Sequence, residues 1–494
     1  MNPLNEPPPV ALPETGSPLY ERLADHYRRV IAAGTLAPGD RMPSVRALMS
    51  QHRVSLSTAI QVFRSLEDAG WLQARPRAGY FVRRAPASRL ANVAEPEIPS
   101  LAEPARYVGL HERISRVIER AQAFPDALNL GGATADAMLY PTQRLQALAS
   151  RILRRRPTLL TEVGEDGGAI ELRQAVAKRA LSSGVSVAPD DVLVTSGGVE
   201  AVNLALRAVA QPGDTIAVES PAFFGLLQIL ESLGLRALEI PTSPTTGLSL
   251  EALDIASTAC PDLKALVVVP NLQNPLGCVM PDARKAELVQ LCARRGVALI
   301  EDEPYRELVE SSEPARPLKA WDRDGGVIYC ASLNKVLAPG MRLGWMASGR
   351  WQARVRLLKF AQTRHNESLA QLVAAEFIGS GAYDRHLHQL REKLRTQREA
   401  SADAIGRYFP AGTRLSLPPG GLLLWVALPE GASSDALFEA ALPHGIRLAP
   451  GSIFSNSDRF RSFIRLSCPA PFDYRIDTAL RQLGTLAAEL GRSA

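Results

Sequence analysis

Long apolar runs are missing from this chain. Stretches such as Ala265–Pro270 end after a few residues, far short of the roughly twenty that cross a bilayer, so no membrane-spanning helix is expected. Met1–Pro18 is Pro-rich and has no basic start followed by an apolar stretch, which argues against a secretory signal and for a disordered segment. Cysteine is scarce: Cys260, Cys278, Cys292, Cys330 and Cys468 stand apart, with no C-x-x-C pair and no metal-ligand spacing. Neither a disulfide framework nor a metal centre is expected, and free thiols of this kind suit the reducing cytoplasm. Internal repeats and low-complexity tracts are absent too. Core-forming material is present in ordinary measure: 46% of the 494 residues are hydrophobic and 22% charged. That composition is globular, and the length is too great for one core.

Lysine is absent from residues 19–84, where the positive charge is all arginine. Eleven Arg face five acidic residues there, a net of +6, whereas the whole chain carries only +5. The rest is therefore close to neutral. An excess of this sign in one short region is what a polyanionic partner requires, although charge alone more often marks a solvated face.

Pattern divides the chain into parts. Residues 19–84 have their own helical periodicity and end in a short strand. Residues 85–107 lose periodicity and hold Pro86, Pro96, Pro99 and Pro104, a composition suited to an extended, semi-stiff linker. From 108 to 494, short apolar strands alternate with amphipathic helices. The expected strands are 192–195, 215–219, 236–240, 265–270, 298–302, 327–332 and 343–348, and their separation by helices predicts a mostly parallel sheet covered on both faces. Residues of about 140–350 are expected to form this large α/β subdomain. A smaller α+β subdomain is expected from about 108–139 and 351–494, with strands near 422–428 and 463–467.

In the first region Tyr20, Leu23, Tyr27, Val30 and Ile31 share one helix face, and Gly34 and Pro38-Gly39 end it. Ser44 is placed to cap a second helix running to about His52. A turn at Arg53–Ser55 leads to a third helix, expected from Ser57 to Ala69, with Ala59, Val62, Phe63 and Leu66 inward. Ser57, Thr58, Gln61 and Arg64 lie outward, as on a helix that reads base edges in the major groove. Trp71–Val82 follows as a hairpin with Arg75, Arg77 and Gly79 at its tip. Three short helices would by themselves suit any small helical domain. The run Leu36-Ala37-Pro38-Gly39-Asp40-Arg41-Met42-Pro43-Ser44-Val45-Arg46, then Val54-Ser55 and Gly79-Tyr80-Phe81-Val82, closely resembles the GntR family of winged helix-turn-helix proteins. That resemblance implies double-stranded operator DNA as partner. It implies backbone contacts from Arg41, Ser44 and Arg46, a recognition helix opened by Ser55, Ser57 and Thr58, and a wing tip at Arg77 and Gly79. Leu56 stands where many members have Arg.

In the second region Lys335 follows the strand 327–332, with Arg342 seven residues on. A lone lysine is usually a solvated charge. At the end of a buried strand the neutral amine is favoured, and a neutral amine is what condensation with an aldehyde needs. Asp302 ends another strand, where a carboxylate can keep a pyridine nitrogen protonated. Tyr305 and Asn274 can donate to a phenolate oxygen. The turn Thr195-Ser196-Gly197-Gly198-Val199 joins a strand to a helix and offers backbone N–H groups to a phosphate, with Ser332 and Arg342 able to add to them. Each of these is weak singly.

In this order on alternating strands, they strongly resemble the fold type I pyridoxal 5'-phosphate enzymes of the aspartate aminotransferase group. The resemblance implies Lys335 as the lysine that binds the cofactor's aldehyde and Asp302 at the pyridine nitrogen. It places Tyr305 and Asn274 at the phenolate oxygen, Phe223 stacked on the ring, and Gly197, Gly198, Val199, Ser332 and Arg342 at the phosphate. Arg465 matches the arginine that grips an amino acid carboxylate. Behind a GntR-like domain, the arrangement is similar to the MocR subfamily, and so implies a cytoplasmic, dimeric regulator answering to pyridoxal phosphate and a small amino acid or amine effector. The other reading is a working aminotransferase with an appended DNA-binding domain. Three positions depart from the common pattern: Asn334 before the lysine, Phe223 in place of Tyr, and Glu162–Asp166, which lacks a Tyr that reaches the neighbouring subunit's phosphate.

Overall fold

The computed structural model describes residues 18–75, 79–83, 90–93, 110–311 and 313–493, and the chain divides into two compact units near residue 87. In the first, helices α1 (Leu19–Ala32), α2 (Val45–His52) and α3 (Leu56–Asp68) precede strands β1 (Leu72–Arg75) and β2 (Gly79–Val82). Leu23, Tyr27, Leu48, Val62, Phe63, Leu66 and Leu72 close a small core, and Phe63 stacks on Tyr80 at 4.5 Å. The Pro38–Met42 run lies antiparallel beside β2. Met42 N–H donates to the Tyr80 carbonyl at 2.9 Å and Val82 N–H to that of Asp40 at 2.8 Å. The helix-turn-helix is thereby tied to its wing.

The second unit has fourteen strands: β3 (Leu128–Asn129), β4 (Val192–Thr195), β5 (Thr215–Ser220), β6 (Arg236–Ser243), β7 (Gly247–Leu248), β8 (Leu263–Val268), β9 (Ala298–Glu303), β10 (Val327–Ser332), β11 (Gly344–Ala347), β12 (Arg414–Leu415), β13 (Leu423–Ala427), β14 (Ile446–Arg447), β15 (Ala449–Pro450) and β16 (Phe463–Ser467) among the described residues. Its helices are α4 (Leu110–Gln122), α5 (Thr142–Arg155), α6 (Ile170–Leu181), α7 (Gly198–Val209), α8 (Phe224–Ser232), α9 (Leu250–Ala259), α10 (Asp282–Arg295), α11 (Gln352–Gln362), α12 (Ser368–Ile378), α13 (Gly381–Tyr408), α14 (Ser434–Ala441) and α15 (Tyr474–Ser493).

Strands pair in the order β4-β11-β10-β9-β8-β5-β6-β7. The inner strands are parallel, as the alternating pattern predicts, while β11 runs antiparallel to both β10 and β4. Strand alternation sorts the residues between faces. Ile216, Val218, Val267, Ile300 and Ile328 pack with Leu204 and Leu227 of α7 and α8. Their neighbours Ala217, Leu266, Val268, Leu299 and Val327 pack with Leu253 and Leu288 of α9 and α10.

A second sheet, β12-β13-β16-β15, is antiparallel throughout and is covered by α13, α14 and α15 through Ile405, Phe438 and Leu483. Two expectations change here. Helices α11 and α12, assigned from the sequence to the small subdomain, pack instead on α7 and on α5 and α6. The apolar surface of Leu372, Val373 and Ala374 joins the core under the large sheet. And Leu90–Val93, inside the stretch read as linker, lies along the small sheet: Leu415 N–H donates to the Ala91 carbonyl at 2.9 Å.

Candidate functional site

In the first unit, Ser44 and Ser55 cap their helices, accepting from Ala47 N–H at 3.1 Å and Thr58 N–H at 3.2 Å. Helix α3 therefore starts at Leu56, one residue before the expected Ser57, because Ser55 takes the cap. The Ser55 hydroxyl also meets those of Ser57 at 2.8 Å and Thr58 at 2.9 Å. The three expected readers thus form one hydroxyl cluster at the N-terminus of α3. Leu56 stands beside it, 53% exposed. Arg46 is exposed on the first turn of α2. Arg41 pairs with Phe81 across the wing, and its guanidinium covers Gly79, where a Cβ would meet Nε and Nη2 at 3.5 Å. Gly79 has φ +99°, a conformation that favours glycine. Arg77 lies outside the described residues.

In the second unit, Gly198, Val199, Phe223, Asn274, Asp302, Tyr305, Ser332, Lys335 and Arg342 line one cavity of about 140 Å³. The parallel strands deliver their C-terminal ends here, which is where open α/β sheets bind ligands. Gly197 and Arg465 adjoin it. Gly197 has φ +92°, and a Cβ there would stand 2.8 Å from Asn334 Nδ2 and 3.4 Å from Arg342 Nη2. No side chain caps α7, so its first N–H groups face the cavity's mouth as an anion cradle.

Lys335 Nζ donates to Thr134 Oγ1 at 3.1 Å. Burial pushes its pKa down to about 8, helped by the nearby Arg465 and Arg342 guanidiniums and opposed by Asp302. Burial raises the Asp302 carboxyl to about 7, against the pull of Lys335. Tyr305, 2% exposed, donates its hydroxyl to the Ala133 carbonyl at 3.3 Å, and burial raises its pKa.

Arg465 is buried, donating to Asn274 Oδ1 at 2.9 Å and to the Gly131 carbonyl at 2.6 Å. Its Nε has no partner, and no acidic side chain pairs with it among the described residues. Its guanidinium lies 5.0 Å over the Phe454 ring. Burial lowers its pKa to about 10.

The sequence pattern did not reveal Thr134 or the carbonyls of Gly131 and Ala133, which come from a chain segment remote from the residues they serve. Glu219 was missed as well. It is buried at the cavity wall, accepts from Val269 N–H at 2.9 Å and is pushed up to about 8 by burial.

Pyridoxal phosphate fits this set of groups: an uncapped helix start with Arg342 for a phosphate, an acid opposite, and a lysine of lowered pKa between them. Fold and site define a protein of the aminotransferase type that binds pyridoxal phosphate, joined to a DNA reader.

Residues 134–483 match the aminotransferase class I and II family, and residues 19–82 match the bacterial regulatory proteins of the gntR family. The Escherichia coli (strain K12) protein named uncharacterized HTH-type transcriptional regulator YdcR is 36% identical over 470 residues, 95% of this chain and 99% of that one. Pyrococcus horikoshii kynurenine aminotransferase, solved with PMP, KYN and KYA, superposes with TM-score 0.71 at 26% identity over 76% of this chain and 94% of its own. LysN, the α-aminoadipate aminotransferase of Thermus thermophilus, solved with N-(5'-phosphopyridoxyl)-L-leucine, gives 0.70 at 27% over 78% and 99%. The chain belongs to the aminotransferase class I and II family and carries a gntR-family domain ahead of it, the arrangement of the HTH-type transcriptional regulators it matches and one consistent with the MocR subfamily. No helix among the described residues is long and apolar enough to cross a membrane.

Proposed function

We propose that this regulator senses a small amino acid or amine bearing a carboxylate, held between Arg465 and Lys335, and that occupancy of this site changes how a homodimer binds its operator. The observation that supports it most is Arg465: a buried guanidinium with an unpartnered Nε and no acidic counter-charge among the described residues. Removing a positive charge from water without a counter-charge is costly, and an incoming carboxylate relieves that cost.

The remaining side chains take roles by their chemistry. The N–H groups of Gly197–Val199, with Ser332 and Arg342, would hold the phosphate, and Phe223 would pack on the ring. Asp302 keeps the pyridine nitrogen protonated. Tyr305 and the Asn274 amide donate to the phenolate oxygen, the Asn274 carbonyl oxygen being already engaged by Arg465. Lys335 offers a neutral amine at modest pH because burial and two guanidiniums disfavour its charge. Pyridoxal phosphate, when bound, supplies an aldehyde that condenses with amines and a ring that accepts electrons from the adjacent carbon. In the reader, Arg41, Arg46, Ser44, Arg77 and Gly79 meet the DNA backbone, and Ser55, Ser57 and Thr58 open the helix that enters the groove.

Operator binding measured by fluorescence anisotropy, with the cofactor and a panel of amino acids, tests the reading. One amino acid should shift the affinity of the wild type and not that of Arg465→Met. A shift that persists in Arg465→Met removes the proposed grip. A second reading, a turning-over aminotransferase, is favoured by the nearness of that grip to Lys335. Steady release of an oxo acid from an amino acid, with a second oxo acid supplied to take up the amino group, would establish it.

A further inference from the structure

We infer that the outer edge of the small sheet is the mount for the DNA reader's tether, so that the length of chain before Leu90, and not the whole stretch to α4, sets the reader's span. The inference rests on the regulator reading above and concerns how that regulator is built.

Strand β12 is the edge of its sheet, and an edge presents unpaired N–H and C=O groups to any extended segment. Leu90–Val93 occupies it. Ala91 pairs in parallel with Arg414, and its carbonyl accepts from Leu415 N–H at 2.9 Å. Val93 N–H donates to Ser416 Oγ at 2.9 Å. Side chains secure what the backbone begins. Val93 is 5% exposed within the main core. Leu90 packs on the small-subdomain core, where Gly406 of α13 leaves it room: a Cβ there would reach its Cγ at 3.9 Å. Ala91 and Asn92 between them stay exposed. A floating linker has no reason to bury its apolar residues and satisfy successive backbone groups in this way.

The consequence is one of length. Strand β2 ends at Val82, so the length of chain from there to Leu90 sets an upper limit of about 28 Å on their separation. A tether running free to α4 would reach about 100 Å. The mount also shares a sheet with the carboxylate grip. Arg465 in β16 registers with Trp425 in β13, and β13 pairs through Val426 with Leu415. Lys335 follows β10 of the large sheet. A ligand held by both residues fixes the subdomain that carries the reader.

Inserting twelve Gly/Ser residues at two places in the full-length, cofactor-loaded protein tests this. The readouts are affinity for a duplex with two half-sites and amide exchange at Leu415. With the mount, an insertion between Ala87 and Ser88 lowers two-site affinity about fourfold, since effective concentration falls as about the −3/2 power of free tether length. The same insertion between Pro99 and Ser100 leaves it unchanged. Leu415 N–H stays protected in both. Without the mount, either insertion costs less than about twofold and to the same degree. Equal effects, or rapid exchange at Leu415 in the wild type, overturn the inference. Absence of any DNA binding overturns the regulator reading instead, and exchange at Leu415 still decides the mount.

Discussion

At Lys335 three influences act on one amine. Burial and the guanidiniums of Arg465 and Arg342 disfavour its charge, and Asp302 favours it, leaving the pKa at about 8 rather than at the ordinary lysine value. The neutral amine is the reactive form. Capture of pyridoxal phosphate should therefore rise with pH, reach half its plateau at about pH 8, and be trapped by borohydride on this residue. Lys335→Ala should leave no trapped adduct. In Arg465→Met one repelling charge is gone, so the midpoint should move upward. Stopped-flow absorbance against pH reads both. Gly197 makes a second test. Its φ of +92° and its closeness to Asn334 leave no place for a Cβ, and backbone at positive φ with ψ near 180° costs an L-residue about 1–3 kcal/mol. Gly197→Ala should weaken pyridoxal phosphate about tenfold yet leave capture of phosphate-free pyridoxal near wild type. Equal losses would show that the cradle does not hold the phosphate. Thr134 belongs here as well: it lies 201 positions before Lys335, a separation that no motif spacing could have revealed.

At the level of elements, the strands were legible because alternation and turn residues mark them directly. Val192–Thr195 and Val327–Ser332 begin and end where the pattern puts them. Direction was not legible. The antiparallel course of β11 depends on which neighbours it joins, and a period of two is the same either way. Helices α11 and α12 went to the wrong subdomain for a similar reason, since periodicity shows that a face is apolar but not what covers it. The start of α3 turned on two serines two residues apart, of which the structure uses Ser55. Its role as a cap can be separated from any role at DNA. Ser55→Ala should lower the stability of the reader by about 1 kcal/mol, seen as an earlier melting of the Met1–Ala87 transition. Ser55→Asp keeps the cap and should keep the stability, but it sets a negative charge beside the groove and should abolish operator binding. If Ser55→Asp melts early, the cap assignment fails.

For the whole molecule the distribution of charge matters more than its sum. A net of +6 within residues 19–84, against +5 for the chain, puts the electrostatic attraction almost wholly on the reader. Binding should be strongly salt-dependent, with each lost phosphate contact flattening the slope of log K against log salt by about one counterion. Arg46, exposed on the first turn of α2, is the clearest candidate for a phosphate contact. Arg46→Ala should weaken operator and scrambled duplex alike and reduce the slope by about one. Ser57 is different. Its hydroxyl is shared with Ser55 in the free protein, so a base contact must compete with that bond, and Ser57→Ala should cost no more than the lower part of about 1–3 kcal/mol on the operator alone. Leu56 has no polar group and at 53% exposure can offer only an apolar contact to a thymine methyl or a sugar. Salt titrations of wild type, Arg46→Ala and Ser57→Ala on both duplexes separate these roles. Should Arg46→Ala lose only operator binding, it reads sequence rather than phosphate, and the assignment of positioning to α2 and reading to α3 would have to be exchanged.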